Sequence, residues 1–306
     1  MKYFQAAISP PPLKHLGRFN MQLHDDKIKF LEEKAQAVRE DIISMLLAAG
    51  SGHTAGPLGM ADVFTALYFH ILKHDPQNPD WNDRDRLVLS CGHICPVLYA
   101  TMAHAGYCSR EELKTLRKFG TRLQGHPHRT SLPGIETTSG PLGSGTSQAV
   151  GMAIAAKMDK KKWQVYCVAS DGEQDAGNTW EAVMLAGKLR LDNLTVLIDR
   201  NNIQIDGMTE NIMPLEPLRA KYEAFNWHVI DINGHDFHDI VNGFETARGI
   251  YEKPVCIISH NIPGKGVESI EFDFAWHGVP PKDAAQAEDF LNQLRTLKGK
   301  IKSEHE

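Results

Sequence analysis

The sequence predicts an α/β fold in three layers (α/β/α), in which helices cover both faces of a mostly parallel sheet. Short apolar runs of strand length alternate with longer segments of helical periodicity, most regularly from residue 163 to residue 259. Glycine and polar residues follow several of these runs, as they do where a parallel strand leads into a crossover helix. Because 42% of the 306 residues are hydrophobic, one large domain can cover both faces of such a sheet.

The predicted elements follow the chain in alternating order. Residues 26–49 carry apolar side chains at three- and four-residue steps and stop at Gly50-Ser51-Gly52, which predicts a helix. Further helices are predicted over residues 60–72, within 140–157 after a Gly-rich loop, and over 178–190, 236–250 and 284–297. Strands are predicted over residues 86–90, 164–170, 194–199, 227–232 and 254–259.

Two segments of different character divide the chain. Residues 1–22 contain Pro10, Pro11 and Pro12 and show little periodicity, which predicts an N-terminal arm outside the core. Residues 23–306 carry all the predicted strands and helices, so we expect them to form one domain.

Charge and cysteine content limit the classes of partner. The formal charge of −5 comes from interspersed residues, which argues against a nucleic acid or an anionic membrane as the main partner.

No apolar run approaches the roughly eighteen residues of a membrane span, and the N-terminus lacks a secretory signal, so a cytoplasmic protein is expected. Five cysteines, two of them in strand-like runs, suit reduced core thiols. A metal site at Cys91 and Cys95 around His93 would lack a second pair at zinc spacing.

Polar residues follow two neighbouring predicted strands. Asp171-Gly172-Glu173 comes after the first strand of a β-α-β unit, and residues 199–203 (Asp-Arg-Asn-Asn-Ile) come at the end of the second. Ligands of parallel sheets bind beyond the carboxyl ends of the strands, and carboxylate and amide oxygens suit Mg²⁺ or Ca²⁺ holding a diphosphate. Gly172 would let the backbone approach the phosphate. The alternative, that Asp171 caps a helix and the asparagines form a turn, remains open on these residues alone.

These residues resemble the thiamine diphosphate signature, a Gly-Asp-Gly followed just under thirty residues later by asparagine. Here Ser170-Asp171-Gly172 is separated from Asn201-Asn202 by twenty-eight intervening residues, 173–200. Further segments resemble the N-terminal domain of transketolase in the same order over residues 35–280: Gly50–Met60, Ser90–His93, Gly125–Pro127, Thr137–Gly145, Ile203–Gly207 and Trp276–Gly278. The chain is thereby identified as a member of the transketolase family, which implies the thiamine diphosphate-binding fold of its pyrophosphate domain.

The resemblance implies a role for each matched residue. The metal ligands would be Asp171, Asn201 and the carbonyl of Ile203. The residues at the diphosphate would be His93, Gly172 and His277. The Gly140 carbonyl would face the aminopyrimidine, and Leu142 and Ile205 would press on the thiazolium ring, although ordinary core packing is the alternative for these two.

Histidines are implied to do the proton chemistry. His53, His126 and His277 match residues that surround the reactive carbon, and histidine suits this role because its pKa lies near working pH. The other histidines outside the motifs are expected to be ordinary hydrogen-bonded or solvated residues; they include His104, His128, His235 and His238.

Two positions depart from the family pattern. Ser170 replaces the first glycine of the signature, and Ala176 stands where transketolases usually carry a glutamate of an acidic path between two cofactors. Glu181, another member of that path, is present. The resemblance therefore implies cofactor binding with weakened or rerouted communication between sites.

The length is the larger departure. Transketolases with both halves in one chain are about twice as long, and their second half supplies the glutamate that activates the cofactor. The resemblance thus implies a separate C-terminal subunit carrying the pyrimidine-binding and C-terminal domains, with two copies of each chain in an α2β2 heterotetramer.

The function implied is transfer of a two-carbon ketol unit from a ketose to an aldose, with thiamine diphosphate and Mg²⁺ or Ca²⁺, and sugar phosphates are the expected substrates. Alternatives among the thiamine enzymes are a deoxyxylulose phosphate synthase, a dehydrogenase E1 subunit, or a transketolase for a sulfonated or branched sugar. Alternatives of other classes are a histidine-rich metal hydrolase, which would need histidines converging at zinc distances, and a noncatalytic relative that kept the fold.

Overall fold

The structure is a computed structural model that describes residues 23–296. The predicted N-terminal arm, residues 1–22, lies outside the described residues, as do residues 297–306. The division into an arm and one domain therefore stays a prediction.

Five parallel strands form the central sheet, in the order β1-β2-β3-β7-β6, and a short antiparallel hairpin, β4-β5, stands apart. The strands are β1 (Arg86–Leu89), β2 (Val165–Ser170), β3 (Leu194–Arg200), β4 (Ile203–Gln204), β5 (Gly207–Met208), β6 (His228–Asn233) and β7 (Val255–His260). All five predicted strands are confirmed within a residue or two.

Ten α-helices accompany the sheet in the described part of the chain. They are α1 (Asp25–Ala49), α2 (Ala55–Gly59), α3 (Ala61–Ala66), α4 (Cys95–Ala105), α5 (Ser144–Met158), α6 (Gly177–Leu189), α7 (Thr209–Ile212), α8 (Leu218–Ala224), α9 (Phe237–Gly249) and α10 (Ala284–Thr296). The predicted helix 60–72 ends in a wider, π-helical turn, Leu67–Ile71, in which Leu72 N donates to Leu67 O at 2.8 Å. Its residues Leu67 and Ile71 are buried.

Helices cover the sheet on both faces. Alternate residues of β2 enter two different cores: Tyr166 and Val168 pack with α1, α3, α4 and α9, whereas Cys167 packs with α5, α6 and α8. Side chains of a strand point alternately to opposite faces, so the fully buried β2 needs a helical layer on each side. The predicted three-layer α/β/α fold is confirmed.

Candidate active site

The carboxyl ends of β2, β3 and β7 form one polar edge of the sheet. The register places Ser170 beside Asp199 and Asp199 beside Ser259. The residues that follow these strands therefore lie next to one another, as the sequence predicted for Asp171 and Asn201.

Asp171 is buried against the segment that follows β3. Its Oδ1 accepts a hydrogen bond from Gly172 N at 2.7 Å, and its Oδ2 accepts from Asn202 N at 2.7 Å. Burial raises the pKa of the Asp171 carboxyl, against the opposing effect of these donors. Since a carboxylate oxygen has two lone pairs, Oδ1 retains one for a cation.

Arg200 neutralises this carboxylate from inside the protein. Its guanidinium, 4% exposed, donates to Asp171 Oδ2 at 3.1 Å, to Glu210 at 2.5 Å and to Glu216 at 3.2 Å. The contacts of Arg200 thus join Asp171, at the end of β2, to the segment that contains α7.

Asp199 orients the predicted ligand Asn201. The Asp199 carboxylate accepts from Asn261 Nδ2 at 2.6 Å and from Asn201 Nδ2 at 2.8 Å. Burial, with a contribution from the charge of Asp171, raises the pKa of Asp199 to about 7. Among residues 23–296, the amide oxygen of Asn201 accepts only from Ile203 N at 3.1 Å, which leaves it a lone pair toward a hard cation.

Four predicted histidines, His53, His93, His126 and His277, form the histidine cluster. The ring centroids of His53 and His93 lie 4.8 Å apart, and the ring centroid of His277 lies 5.4 Å from that of His53 and 5.3 Å from that of His93. His126 packs on Gly92, whose Cα would place a Cβ 3.0 Å from His126 Cδ2. Four motifs far apart in sequence therefore meet at one place.

Neighbouring backbone contacts hold the cluster together. Thr54 Oγ1 donates to Val279 O at 2.6 Å, which joins the segment of His53 to that of His277. Ser139 Oγ donates to Leu89 O at 2.5 Å, and Ser139 N donates to Pro127 O at 3.0 Å, which holds the segment of His126 beside the end of β1.

Burial lowers the pKa of every histidine in the cluster. The pKa of His53 falls to about 4, because burial is reinforced by repulsion from His277 in its protonated form and from the positive charge of Arg117. Burial lowers the pKa of His93 further below its usual value, and it also lowers those of His126 and His277. The cluster is therefore neutral at physiological pH, and each ring has one nitrogen to donate and one to accept a proton.

The lowered pKa of His53 should make the free energy of unfolding depend on pH. Between pH 6.5, the usual value, and about pH 4 the unfolded chain binds this proton and the folded chain does not, so stability falls as pH falls through this window. Urea unfolding at a series of pH values across this window measures this pH dependence of the free energy of unfolding. The variant His53→Gln should lose less stability on acidification than the wild type. Equal pH dependence of the two proteins would contradict the buried neutral imidazole.

Gly92 leaves room for the cluster, so Gly92→Ala should displace it. The added Cβ would lie 2.5 Å from Ser139 Cβ as well as close to His126, and we expect an unfolding free energy lower by about 1–3 kcal/mol. Imidazole chemical shifts of His126 should move. Gly249→Ala is the control, because its Cβ meets nothing within 4 Å; unmoved His126 resonances in Gly92→Ala would refute the packing argument.

The remaining predicted residues lie in more open settings. Leu142 and Ile205 are 43% and 66% exposed, so neither belongs to the apolar core. Gly140 has φ 157° and open space at its Cβ position, and Gly172 begins the turn after β2. Glu181 is exposed on α6, and no hydrogen bond within residues 23–296 joins it to the histidine cluster.

The site fits a ligand with a metal-bound diphosphate and an aromatic ring. The Nδ1 atoms of His53 and His277 are buried without a hydrogen-bond partner in the described chain, which is costly unless a ligand or water satisfies them. The free lone pairs of Asp171 and Asn201 are hard oxygen donors, and the exposed Leu142 and Ile205 offer apolar contact.

Two alternatives find no support in residues 23–296: a metal site at Cys91 and Cys95, and a histidine-rich metal hydrolase. Cys91 and Cys95 donate to the carbonyls of Val168 and Gly125, and burial raises the pKa of both thiols. Within the same residues, no three histidine, cysteine, aspartate or glutamate side chains are arranged to hold a metal.

Sequence analysis assigned no role of their own to several residues around the site, although three of them lie in the polar segments that it named after β2 and β3. They are Arg117, Glu173, Asp199, Arg200 and Asn261. Asn261 follows β7 directly, so the rule that ligands lie at strand ends could have found it. Ser170 and Glu173 have the spacing of a capping box, which was the available signal for Glu173. For Arg117, whose Cζ would lie 2.9 Å from a Cβ on Gly125, the sequence held no signal.

Comparisons with known proteins agree with this geometry. The family model of the transketolase thiamine diphosphate binding domain matches residues 31–296. One of the subunits of an apulose-4-phosphate transketolase, from Phocaeicola vulgatus, is 40% identical over 280 residues, 91% of this chain and 99% of the relative. The 6-deoxy-6-sulfo-D-fructose transketolase subunit SqwG of a Clostridium species is 45% identical over 249 residues, 81% of this chain and 90% of the relative.

A solved structure shows the same fold in a longer protein. The crystal structure of transketolase from Campylobacter jejuni superposes with a TM-score of 0.79 at 34% identity, covering 89% of this chain and 48% of that chain. The chain thus spans about half of that transketolase but nearly the full length of the Phocaeicola vulgatus relative.

The predicted family, enzyme class and subunit character are confirmed by these relatives, and thiamine diphosphate is confirmed as the cofactor of the domain. No helix within residues 23–296 has the length and apolar character to cross a bilayer. The chain belongs to the transketolase family, in which it corresponds to the N-terminal, thiamine diphosphate-binding subunit.

Proposed function

We propose that this chain, together with a separate C-terminal subunit, transfers a two-carbon ketol unit from a ketose phosphate to an aldose phosphate. The observation that carries the proposal is the neutral histidine cluster with two unpartnered, buried Nδ1 atoms in the described chain, formed by segments that match the family. Such a set suits a reaction that moves protons of sugar hydroxyl groups without needing a charged acid.

Asp171, Asn201 and the carbonyl of Ile203 would hold Mg²⁺, or Ca²⁺ in its place, and Gly172 and His93 would lie at the diphosphate. The free lone pair on Asp171 and that on Asn201 support this assignment. Leu142 and Ile205 would pack on the thiazolium ring, and the Gly140 carbonyl would face the aminopyrimidine. Thiamine diphosphate supplies the nucleophilic carbon and electron sink for breaking the carbon–carbon bond.

The histidine cluster would bind the substrate beside the reactive carbon. The Nδ1 atoms of His53 and His277 are available to bind or move a hydroxyl proton, and His126 is the more exposed member of the set. Because burial keeps these rings neutral, each one can accept from one hydroxyl and donate to another.

The partner would cover an exposed apolar surface on α5 and α6. This surface consists of Gly151, Ala155 and Met158 on α5 and Met184, Leu185 and Leu189 on α6, all exposed. A C-terminal transketolase subunit is its occupant in the proposal, because this chain matches 48% of the solved transketolase chain and its relatives are named as transketolase subunits. Glu181 lies on the same helix, so two copies of each chain in an α2β2 heterotetramer would place it at a subunit interface.

Met184→Glu should therefore weaken assembly with the partner. A buried, unpaired carboxylate at an apolar interface is expected to weaken association by at least about tenfold. Analytical ultracentrifugation of the mixed subunits measures the mass of the complex. Tyr251→Glu is the control: Tyr251 is 80% exposed but precedes β7, at the opposite edge of the sheet from the site. Unchanged assembly of Met184→Glu would remove α6 from the interface.

The relatives' names suggest a second candidate substrate class. One relative is named for apulose 4-phosphate and another for a sulfonated fructose. A transketolase for a branched or sulfonated ketose is therefore the second candidate beside the xylulose 5-phosphate reaction of pentose phosphate metabolism.

We place the enzyme in the cytoplasm, since all five cysteines are free thiols.

The test is ketol transfer to ribose 5-phosphate, with Mg²⁺ and thiamine diphosphate, by this chain alone and by the chain mixed with a candidate C-terminal subunit. Xylulose 5-phosphate, apulose 4-phosphate and 6-deoxy-6-sulfofructose are the three donors. Activity in the mixture only supports the proposal, and the preferred donor identifies the substrate. Activity of the chain alone overturns the need for a partner, and inactivity with every donor in a complex that binds cofactor overturns ketol transfer.

A further inference from the structure

Glu173 is a buried carboxylate that lies between three segments of the candidate site. It is 1% exposed, and within residues 23–296 it forms no ion pair. Its Oε1 accepts from Gly143 N at 2.5 Å and from Ser90 Oγ, and its Oε2 accepts from Ser170 N at 3.1 Å. Because a buried charge is unfavourable unless its lone pairs are used, these three hydrogen bonds are the reason that the group is tolerated.

Glu173 and Ser90 together cap the N-terminus of α5. Gly143 is the N-cap residue of this helix and has no side chain to satisfy the exposed amides. Glu173 binds the amide of Gly143, and Ser90 Oγ accepts from Gly145 N at 3.1 Å. Burial raises the pKa of Glu173, whereas the dipole of a fifteen-residue helix favours its ionised form.

Glycine is required at both positions. A Cβ on Gly145 would overlap Ser90, and a Cβ on Gly143 would overlap Asn178. Gly143 also has φ 82°, a left-handed conformation that other residues seldom adopt. The loop from residue 140 to 145 is thus shaped to bring its amides against Glu173 and Ser90.

Ser170 completes the arrangement as half of a reciprocal capping box. Glu173 N donates to Ser170 Oγ at 3.3 Å, while Ser170 N donates to the Glu173 carboxylate. The serine that replaces the first glycine of the cofactor signature therefore orients Glu173 toward the loop.

We propose that Glu173 is a positioning residue that fixes the 140–145 loop, and with it the Gly140 carbonyl and Leu142, in the shape that receives thiamine diphosphate. The part of this inference that concerns the cofactor rests on the proposed function. The part that concerns the loop rests only on the hydrogen bonds of Glu173.

Hydrogen exchange of the full chain without cofactor tests the loop. Glu173→Gln keeps the size of the side chain, but it removes the negative charge and leaves one accepting oxygen for the three donors Gly143 N, Ser90 Oγ and Ser170 N, so amides of residues 143–146 should exchange at least about tenfold faster. Ser170→Gly should give a smaller increase, because it removes only the hydrogen bond from Glu173 N to Ser170 Oγ and leaves the three bonds to the carboxylate. Glu136→Gln is the matched control, a largely buried carboxylate paired with Arg84 at 2.8 Å outside this loop. Unchanged exchange of residues 143–146 in Glu173→Gln overturns the proposal.

Titration with thiamine diphosphate and Mg²⁺, by calorimetry, tests the consequence for the cofactor. The dissociation constant should rise about tenfold in Glu173→Gln and stay unchanged in Glu136→Gln. In the active complex, the cofactor KM should rise while kcat at saturating cofactor stays within about twofold. Faster exchange with unchanged affinity would overturn the cofactor role of the loop. Failure of the wild-type complex with the C-terminal subunit to bind the cofactor would overturn the proposed function, while the exchange result would still decide the role of Glu173.

Discussion

Replacing Asp171 by asparagine should weaken the binding of thiamine diphosphate with Mg²⁺ by at least about a hundredfold. The substitution keeps the side-chain shape but removes the negative charge from the polar edge of the sheet. The Arg200 guanidinium, 3.1 Å from Asp171 Oδ2, then loses one of its three carboxylate partners, so more of its positive charge opposes the cation. Calorimetric titration of the full chain measures the loss, and the complex with the partner should lose ketol transfer.

Asp175→Asn is the matched control for this prediction. Asp175 lies on the same turn after β2, is exposed, and accepts from Gln204 Nε2 at 3.2 Å rather than from Arg200. Its replacement removes the same charge from the same turn and should leave cofactor affinity within about twofold. Equal affinities of Asp171→Asn and the wild type would show that the metal is held elsewhere.

Replacing Asp62 by alanine should lower the free energy of unfolding by about 3–5 kcal/mol. Asp62 accepts two hydrogen bonds from Arg39, at 2.9 and 2.6 Å, and one from His235 at 2.8 Å. Although burial acts to raise the pKa of Asp62, the positive charge of Arg39 beside it holds that pKa well below its usual range. Removal of the carboxylate leaves the guanidinium buried without its counter-charge. Urea unfolding followed by circular dichroism measures the loss.

The substitution Asp62→Ala should also change the candidate site. His235 Nε2 accepts from Ile262 N at 2.8 Å, and the neighbouring Asn261 donates to Asp199. Asp62 thereby fixes the loop after β7, so Asp62→Ala should weaken cofactor binding in the protein that remains folded.

An exposed ion pair of similar geometry provides the comparison for Asp62. Arg122 makes two hydrogen bonds to Glu112, at 2.8 and 2.7 Å, but its side chain is 46% exposed. Glu112→Gln should change the free energy of unfolding by less than about 1 kcal/mol. If Asp62→Ala lowered the free energy of unfolding by as little as this, the buried network would stabilise the protein no more than an exposed ion pair does.

Much of the fold was predictable because each strand and helix carries its own periodicity. The apolar run 164–170 predicted β2, and the steps of three and four residues over 26–49 predicted α1, within a residue of the observed bounds. The polar residues after two strands predicted that Asp171 and Asn201 would lie together, because parallel strands end at one edge. The π-helical turn at Leu67–Ile71 was not predictable, since it leaves the apolar pattern unchanged.

The site itself was predictable only through motifs. Nothing in the spacing of His53, His93 and His277 indicates that their ring centroids lie within 5.4 Å of one another; the resemblance to a family supplied that expectation. The pKa of His53, near 4, depends on burial and on neighbouring charges contributed by other segments. From the sequence alone, each histidine would be expected to have the ordinary pKa of its side chain.

The sequence by itself determined the fold class, the order of the elements and the family, because these follow from local periodicity and from motifs read along the chain. Only the tertiary structure decided which polar groups pair: Glu173 with the first turn of α5, Arg200 with Asp171, and Asp62 with Arg39 and His235. The physical reason is that burial makes these pairings energetically decisive, and burial depends on which distant segments meet.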